Sequence, residues 1–541
     1  MKQTRNSMCD HVFSPEEWER THQTKAVPDE PFECGVEPLD GKDFCRYHID
    51  TSIRKEHDLS DEDVFTELLQ ESQDVFGATF QSVNLTPDSI SDIETDSTEL
   101  TNTVIDFIEL KNTTIDFDFR AVQCVFKRYR ESKTTVQGRR EFVGVHFRNH
   151  LHYAPNRTYG ETTFNRSRFS TPFHLEGRYD DYFRLKACYL NRELKASHTE
   201  FTERFQIENG AIRGNLHFTG VDAKQDFIIR DVDLPRKVVL SECDLQEFNC
   251  DPGGGLPSVV DLRAGTTAHS GNLMVPEGGG VFYDLRYCTI GDVQLDLIRG
   301  TLGEYLFMCT KFSNFDFIQI EDQLEKNGFD IHTFDYPEDS LDESPIYETE
   351  DRLVNGPYSS STQLQHQAET YTRAKNGAKA LGADSIASGF FVKQKKAEHA
   401  KFEQQLRDTE DGSKVKSLRR KLWKNKLLRY SCKYGESPWY PLGWSVFVLP
   451  VSGSLYSLLG ISTPDGVQKI LPCFSECGPA TDVGVIWLKG LYLSAVTFTS
   501  LGSAIYSPGS SLARFVAGTE ALAGAFLIAL FVFTLGRQVS R

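Results

Sequence analysis

Residues 497–508 read Thr-Phe-Thr-Ser-Leu-Gly-Ser-Ala-Ile-Tyr-Ser-Pro and lie between two long apolar segments. After them, residues 515–535 carry a single charged side chain, that of Glu520. Before them, residues 442–461 contain no charged residue. At about 1.5 Å of rise per residue, each segment is long enough as a helix to cross a hydrocarbon core about 30 Å thick. The pattern therefore predicts two membrane spans.

A shorter apolar segment, residues 483–499, lies between the two predicted spans and contains Lys489. As a third span, it would put the two termini on opposite sides of the membrane. Basic residues flank both the first span and the chain's end, which argues against that arrangement. Non-helical backbone at membrane depth persists only where it is buried in protein or lines a watery path. We therefore expect a re-entrant pore helix at 483–499, followed by irregular backbone.

Two spans with a re-entrant helix between them resemble the two-transmembrane pore module of potassium-type channels. That family's filter reads Thr-Val-Gly-Tyr-Gly and turns backbone carbonyls toward the ion. Here residues 500–504, Ser-Leu-Gly-Ser-Ala, occupy the matching positions, so that Ser503 and Ala504 replace the family's Tyr and second Gly. The resemblance implies a selectivity filter with these members: Thr499, Ser500, Leu501, Gly502, Ser503 and Ala504.

The resemblance also implies a homotetramer, because one loop supplies only a quarter of a filter ring. The permeant ion it implies is K⁺ or another monovalent cation, and the two replaced residues leave the ion selectivity open. An ordinary helical hairpin that anchors the chain, with a Ser/Thr-rich loop, is the alternative interpretation.

Four further residues are associated with the predicted pore: Thr497, Gly518, Glu520 and Gly524. An ionised carboxylate in a membrane span is costly unless it is paired or wet. Glu520 can hydrogen-bond behind the filter, draw cations toward it, or reach the membrane surface. The two glycines permit either close helix packing or a hinge, and the sequence does not choose between these roles.

From Ala78 the chain has a period of five, which neither a helix nor a flat strand has. Large apolar residues recur at Phe80, Leu85 and onward to Ile115, and smaller residues stand two places before each. This pattern resembles the pentapeptide-repeat family and implies a right-handed quadrilateral β-helix with four pentads per coil. We assign it to residues 78–321.

The pentads are interrupted within this domain. Residues 127–159, which contain His146, His150 and His152, and residues 251–280 break the period. We expect both segments to loop off the stack, the first as a solvated basic loop rather than a metal site. Four cysteines fall at or near inward positions and are expected to be core residues rather than nucleophiles: Cys188, Cys243, Cys288 and Cys309.

Residues 1–50 contain Cys9, His11, Cys34, Cys45 and His48. Zinc takes four nitrogen or sulfur ligands in a tetrahedron, and a Cys-x-x-His pair such as Cys45 and His48 is a local chelating unit. We predict a structural Zn²⁺ bound by Cys9, Cys34, Cys45 and His48, with His11 as an alternative ligand. The other interpretation is a disordered arm whose thiols stay reduced.

The remaining chain divides by composition. Residues 51–77 are expected to contain a capping helix, and residues 322–362 form an acidic linker broken by prolines. Residues 363–434 are predicted to form a helical hairpin followed by a basic juxtamembrane helix. Its segment 414–429 holds eight Lys or Arg and no acid, which favours binding to an anionic membrane surface. Residues 435–541 form the two-transmembrane module.

The net charge of −18 disfavours nucleic acid as a partner. The first apolar run begins after residue 438, so we expect no signal peptide and a cytoplasmic N-terminal part. Basic residues before the first span and after the second place both termini in the cytoplasm of a multi-pass protein of the cell membrane. Residues 462–482 would then lie outside, where Cys473 and Cys477 form a disulfide or remain free thiols.

The sequence shows no catalytic constellation, so we do not expect an enzyme. The inferred function is that of a cation channel subunit, potassium-type by resemblance, with a cytoplasmic β-helix. That domain would act as a regulatory or scaffolding surface for an unknown cytoplasmic protein. The alternative is a membrane-anchored pentapeptide-repeat adaptor that conducts no ions.

Overall fold

The structure is a computed structural model. It describes residues 8–71, 75–91, 93–254, 257–263, 265–332, 360–409, 411–464, 466–470, 481–500 and 505–539. Several predictions fall outside these ranges. They are the filter positions Leu501, Gly502, Ser503 and Ala504, the pair Cys473 and Cys477, and most of the acidic linker, residues 333–359.

The chain divides into two compact units, Met1–Gly356 with Asn376–Ala383, and Pro357–Lys375 with Asp384–Arg541. The helices of the first unit are Pro15–His22 (α1), Thr51–Glu56 (α2), Asp61–Glu71 (α3), Pro87–Ser91 (α4) and Glu321–Lys326 (α5). Short 3₁₀ helices occupy Leu302–Glu304 and Phe317–Ile320. Near the N-terminus, Val12–Phe13 (β1) pairs antiparallel with Phe32–Glu33 (β2).

The first unit is dominated by a β-solenoid of about 10 turns in residues 79–312. Within the described residues it contains thirty strands joined in parallel. In chain order from β3 to β32 they are Thr79–Phe80, Val83–Leu85, Ser97–Thr101, Val104–Ile105, Ile108–Lys111, Thr114–Ile115, Asp118–Val122, Val125–Ser132, Thr135–Val136, Arg140–Val143, His146–Ala154, Arg157–Thr158, Thr162–Asn165, Arg168–Phe169, Phe173–Tyr179, Phe183–Lys186, Tyr189–Leu190, Leu194–Phe201, Phe205–Glu208, Ala211–Ile212, Leu216–Thr219, Asp222–Arg230, Lys237–Ser241, Asp244–Asp251, Ser258–Asp261, Thr267–Leu273, Val281–Asp284, Thr289–Leu295, Tyr305–Leu306 and Lys311–Phe312.

The core runs along the inside of the solenoid, because alternate residues of each strand point inward. The large residues of the first pentads are buried there, among them Phe80, Leu100 and Ile105. Aromatic rings stack from turn to turn: those of Phe142 and Phe164 lie 4.6 Å apart and 7° from parallel. Stacked rungs therefore bury a continuous apolar column that no single turn could bury by itself.

The expectation that residues 127–159 and 251–280 loop off the stack is wrong. Residues 125–132 and 146–154 pair as adjacent parallel strands. Strands Ser258–Asp261 and Thr267–Leu273 pair with rungs on both sides. His146, predicted to lie in a solvated loop, is instead buried, with Nδ1 3.1 Å from the carbonyl oxygen of His22 and Nε2 2.9 Å from Ser170 Oγ.

The physical reason for this error is that each turn holds one or two residues more than four pentads. Pairs on neighbouring turns are 21 or 22 residues apart, as Glu99 and Arg120 or Arg204 and Asp226 are, whereas four pentads make 20. Residues with positive φ also lie along the solenoid, and non-glycine residues tolerate this left-handed conformation one at a time. They recur about every eleven positions: Asn102, Asn112, Gln123, Lys133, Gly144, Arg166, Gly177, Ala187, His198, Asn209, Gly220, Asp231 and Glu242.

The first strand of the solenoid has no preceding rung, and side chains from α2 and α3 take its place. Asp61 Oδ2 accepts hydrogen bonds from the backbone N–H groups of Gln81 and Ser82 at 2.7 and 3.1 Å. Arg54 Nη2 donates to the carbonyl oxygen of Thr79 at 2.8 Å, and Arg54 Nη1 lies 2.7 Å from Asp61 Oδ1. This fully buried ion pair closes the exposed edge of the first turn.

The second unit is helical. Its helices are Ser360–Ala380 (α6, shared between the two units), Asp384–Asp408 (α7), Gly412–Cys432 (α8), Trp439–Leu459 (α9), Thr481–Thr499 (α10) and Ser511–Val539 (α11). A 3₁₀ turn at Lys433–Gly435 joins α8 to α9. Ile461–Thr463 (β33), Gly466–Gln468 (β34) and Ser507–Pro508 (β35) form a small antiparallel sheet.

Candidate functional site

Two helices of the second unit, α9 and α11, are long and apolar enough to cross a membrane. Many of their large apolar side chains are exposed on the chain, including Phe447 of α9 and Phe515 and Leu522 of α11. A core helix of a soluble protein would cover such side chains. The third apolar helix, α10, is shorter and lies between them in sequence.

Helix α10 packs against both long helices. Near the end of α10, Ser494 Oγ donates to the carbonyl oxygen of Leu449 in the middle of α9 at 2.9 Å. Near the start of α10, the carbonyl oxygen of Ile486 accepts from Ser457 Oγ at the end of α9 at 3.2 Å. Helices α10 and α9 are therefore antiparallel. Helix α10 runs in the same direction as α11, where Glu520 lies beside Ser494. Helices α9 and α11 are therefore antiparallel to each other.

The chain comes back after α10 to the level at which α10 began. Ser507 and Pro508 pair with Ser462 and Ile461, the residues that directly follow α9. Lys489, the one charged residue of residues 483–499, donates to Gln468 Oε1 at 2.9 Å, beside this same sheet. The chain therefore runs along α10 beside the two long helices, and by Ser507 it is back at the level where α10 begins.

Glycines allow the three helices to approach closely. A methyl group built on Gly490 would lie 2.3 Å from the carbonyl oxygen of Gly453, so α9 and α10 cross with almost no side chain between them. A methyl group on Gly524 would lie 2.2 Å from the carbonyl oxygen of Phe498, near the end of α10. Gly518, by contrast, has no atom within 4 Å of such a methyl group. Among the described residues, Gly524 therefore contacts α10 closely and Gly518 faces open space.

Glu520 joins all three helices through a buried hydrogen-bond network. Its side chain is 3% exposed. Oε2 accepts from the hydroxyl of Tyr456 on α9 at 2.5 Å, and Oε1 lies 2.5 Å from Ser494 Oγ on α10. In this chain the carboxyl group is therefore buried between the three helices rather than at the surface. Sequence reasoning missed Tyr456 and Ser494, because no local pattern indicates which hydroxyl groups face one carboxyl group.

The predicted filter begins where α10 ends. Thr499 is exposed, and its Oγ1 donates to the carbonyl oxygen of Ala495 at 2.7 Å. Ser500 has a φ of 52°, and its N–H donates to the carbonyl oxygen of Thr497 at 3.2 Å, which ends the helix. Thr497 is half-buried.

The four predicted metal ligands lie together in the first unit. The ligand atoms of Cys9, Cys34, Cys45 and His48 all fall within 4.8 Å of one another. The Sγ atoms of Cys34 and Cys45 are 3.8 Å apart, and His48 Nδ1 lies 3.3 Å from Cys45 Sγ and 3.7 Å from Cys9 Sγ. A tetrahedral site with Zn–S of about 2.3 Å and Zn–N of about 2.0 Å has edges of about 3.8 and 3.5 Å. These three separations are close to the edges of such a site.

The surroundings orient His48 for this role. Its Nε2 lies 2.9 Å from the carbonyl oxygen of Phe76, so that Nε2–H donates and Nδ1 is left for a metal. His11, the alternative ligand, stacks on His48 with ring centroids 3.7 Å apart instead of joining the four. Hydrogen bonding to Cys34 raises the pKa of the Cys45 thiol to about 11. A bound cation would lower this pKa, because it stabilises the thiolate form.

The inward cysteines of the solenoid are placed differently. Cys188, Cys243, Cys288 and Cys309 are fully or almost fully buried. Burial raises the pKa of the Cys188 thiol to about 12, and this thiol donates to the carbonyl oxygen of Phe164 at 3.2 Å. These surroundings are those of core residues, because a reactive thiol is partly exposed and has a lowered pKa.

Comparison with protein families matches residues 469–541 to the family model described as "Ion channel". The match covers α10, the predicted filter and α11. A search of curated proteins found no match, and neither did a search of solved structures. The chain thus carries an ion channel domain at its C-terminus, following a β-solenoid and a set of helices.

Proposed function

We propose that the chain is one subunit of a cation channel in which residues 499–504 supply one quarter of a selectivity filter. The observation that carries this proposal is the path of the backbone. Helix α10 descends between α9 and α11, and by Ser507 the chain is again paired with Ser462, at the end of α9. A simple two-helix anchor has no need for such a path.

Chain length is compatible with this path. Phe498 packs on Gly524, which lies about 20 Å along α11 from Ser511 at 1.5 Å per residue. The eight Cα–Cα steps from Thr499 to Ser507 can span about 27 Å when extended. A segment that covers this distance and lines a watery path is what a filter of backbone carbonyl groups requires.

The assembly proposed is a homotetramer with both termini in the cytoplasm. Arg537 Nη2 lies 2.7 Å from Glu436 Oε1, so the start of α9 and the end of α11 are at the same level. The eight basic residues of 414–429 favour the cytoplasmic side for that level. The solenoid would then be a cytoplasmic regulatory or scaffolding surface for another protein. The permeant ion would be K⁺ or a monovalent cation selected weakly.

Purified full-length protein in planar bilayers under K⁺ and Na⁺ gradients tests the proposal. We expect single-channel currents that Gly502→Asp abolishes, because its carboxylate would enter the filter of every subunit. Gly412→Asp is the matched control, since Gly412 is an exposed residue at the start of α8 with open space around it. A reversal potential that follows K⁺ would assign potassium selectivity. The absence of current from tetrameric protein at all voltages would contradict the proposal and favour the anchored adaptor.

We also propose that Cys9, Cys34, Cys45 and His48 hold a structural Zn²⁺. Metal analysis of the full-length protein should find one zinc per chain, which Cys45→Ser removes together with part of the thermal stability. Cys188→Ser is the control, because it also removes a buried thiol but lies in the solenoid core. Zinc that persists in Cys45→Ser, or its absence from protein purified without chelators, would refute this assignment.

A further inference from the structure

The second unit contains an apolar cavity of about 520 Å³ between helices α8, α9 and α11. Trp423, Leu427 and Tyr430 of α8 line one side, and Trp444 of α9 and Phe526 of α11 line the others. Its size lies within the range of about 300–1,000 Å³ typical of ligand pockets. A cavity of this composition fits a hydrocarbon chain better than a polar metabolite.

The cavity lies mainly in the half of the proposed membrane region that meets α8. Its residues on α11, Ala523, Phe526 and Leu527, fall at the centre of Ser511–Val539 or just past it toward the end that meets α8. The indole Nε1–H of Trp444 donates to the carbonyl oxygen of Tyr430 at 2.8 Å, which ties the start of α9 to α8. In the proposed topology this position corresponds to the cytoplasmic leaflet.

The two faces of α8 have different environments. Leu418 and Leu422 are buried, and Asn425 Nδ2 donates to the carbonyl oxygen of Lys395, so one face packs on α7. Trp423 and Tyr430 on the other face are 68% and 56% exposed. Exposed aromatic side chains beside an apolar cavity indicate a surface that another molecule covers.

The charge on this second face indicates which occupant it is. Arg419 and Arg420 precede Trp423 by about one turn, and Lys416 by about two, so that all three share its face. All three side chains are exposed. Lys426, at the cavity itself, lies 3.6 Å from Glu403 Oε1 and is partly neutralised. The same helical face therefore presents an apolar cavity next to a cluster of exposed cations.

We infer that this cavity binds one acyl chain of an anionic phospholipid, whose phosphate group lies at Arg419 and Arg420. The inference rests on the proposed function only in that α9 and α11 must cross a membrane. The apolar cavity accounts for the acyl chain, and the neighbouring guanidinium groups account for the headgroup, since Arg binds phosphate oxygens in a bidentate manner. A free phosphate ion would use the cations but leave the cavity empty.

Fluorescence quenching by brominated phospholipids tests this site in the full-length protein reconstituted into vesicles. Bromine on the acyl chain quenches a tryptophan that it contacts, and the difference between the wild type and Trp423→Phe isolates the signal of Trp423. We compare brominated phosphatidylglycerol with brominated phosphatidylcholine, each titrated into unbrominated phosphatidylcholine vesicles. We expect phosphatidylglycerol to quench Trp423 at a lower mole fraction, by about fivefold for each basic residue that contacts the headgroup.

Charge variants locate the headgroup. Arg419→Gln with Arg420→Gln should abolish the preference for phosphatidylglycerol while keeping quenching at high mole fraction. Lys414→Gln with Lys424→Gln removes the same charge from residues outside the Trp423 face, and should retain at least half of the logarithmic preference. If the two double variants lose the preference equally, a general surface charge explains it and the specific site is refuted.

Two further outcomes overturn the inference. Equal quenching by the two lipids would remove headgroup selection, and no quenching of Trp423 in tetrameric protein would mean that a neighbouring subunit fills the cavity. The measurement is independent of conduction, so selective quenching in a protein without current would contradict the channel and leave the lipid site supported. A lack of quenching at Trp439 and Trp444 as well would contradict membrane insertion, and the proposed function with it.

Discussion

Replacing Gly524 by Ala tests the packing of α11 on the end of α10. The added methyl carbon would lie 2.2 Å from the carbonyl oxygen of Phe498 and 3.0 Å from its carbonyl carbon. Real Cβ atoms essentially never approach within 3.0 Å of another heavy atom, and the neighbour here is backbone, so α11 must move by about 1 Å. Overpacking of this kind costs about 1–3 kcal/mol.

The helix propensity of Ala opposes this cost by about 1 kcal/mol. We therefore expect a net loss of up to about 2 kcal/mol, or up to about 8 °C in the thermal midpoint of the purified protein. Channel current should fall as well, because Phe498 directly precedes Thr499, the first residue of the proposed filter. Thermal denaturation followed by intrinsic fluorescence and single-channel recording measure the two effects.

Gly518→Ala is the matched control, since a methyl group there meets no atom of the described residues within 4 Å. It should leave stability unchanged or raise it by up to about 1 kcal/mol through helix propensity. The reasoning is refuted if Gly518→Ala destabilises the protein as much as Gly524→Ala does, or if Gly524→Ala keeps both the midpoint and the current of the wild type.

Three further predictions concern buried polar groups. Arg54→Ala should destabilise the first unit by about 3–5 kcal/mol in chemical denaturation, because it leaves a buried carboxylate unpaired. The control is Arg120→Ala, which removes an exposed ion pair and should cost under about 1 kcal/mol. Tyr456→Phe should cost about 1–3 kcal/mol by removing a donor from the buried Glu520, measured as thermal stability of the purified protein. Burial lowers the pKa of His22 to about 4, below its unfolded value near 6.5. Between these two values the folded state binds fewer protons than the unfolded state, so the free energy of unfolding should fall as the pH drops from 6.5 to 4. His22→Gln should flatten this decline in denaturation curves recorded across that range, and an unchanged decline would contradict the assignment.

The start of the solenoid could be predicted from the sequence because its inward residues follow a strict period. Phe80, Leu85, Ile105 and Ile115 fall five or multiples of five apart and are buried as expected. Beyond Ile115 the period of five no longer holds, although the solenoid continues. An extra residue, such as the one between the inward residues Ile115 and Ala121, moves every later inward position by one. Residues with positive φ do not mark these shifts, because Ala121 and Phe126 are five apart across Gln123.

The membrane module was predictable in its apolar parts and not in its polar contacts. Residues 442–461 and 515–535 were identified as spans because apolar length alone indicates them. Helix α9 begins earlier, at Trp439, and ends at Leu459, whereas α11 extends past both limits, from Ser511 to Val539. Apolar composition does not fix where a helix begins and ends, because backbone hydrogen bonding can continue past the apolar segment. The partners of Glu520 come from two other helices, and only the packing of all three determines them.

The metal ligands were predicted by residue type and local spacing, since Cys45 and His48 form a chelating pair. In the structure the group of four contains His48, the predicted ligand, and not His11, the alternative. Zinc itself stays a prediction, as do the roles of the filter residues.

The ion pair of Arg54 and Asp61 has a consequence for self-association. A parallel stack of rungs has an open end, and an unpaired strand there is a template onto which a second molecule can add its own last rung. Such head-to-tail contacts do not close on themselves, so repeated addition yields fibres rather than a defined oligomer. The side chains of Arg54 and Asp61 hydrogen-bond the backbone groups of Thr79, Gln81 and Ser82. These backbone groups are then not free to pair with a second molecule. A chain that has lost Arg54 and Asp61 would be expected to polymerise through its solenoid before it unfolds.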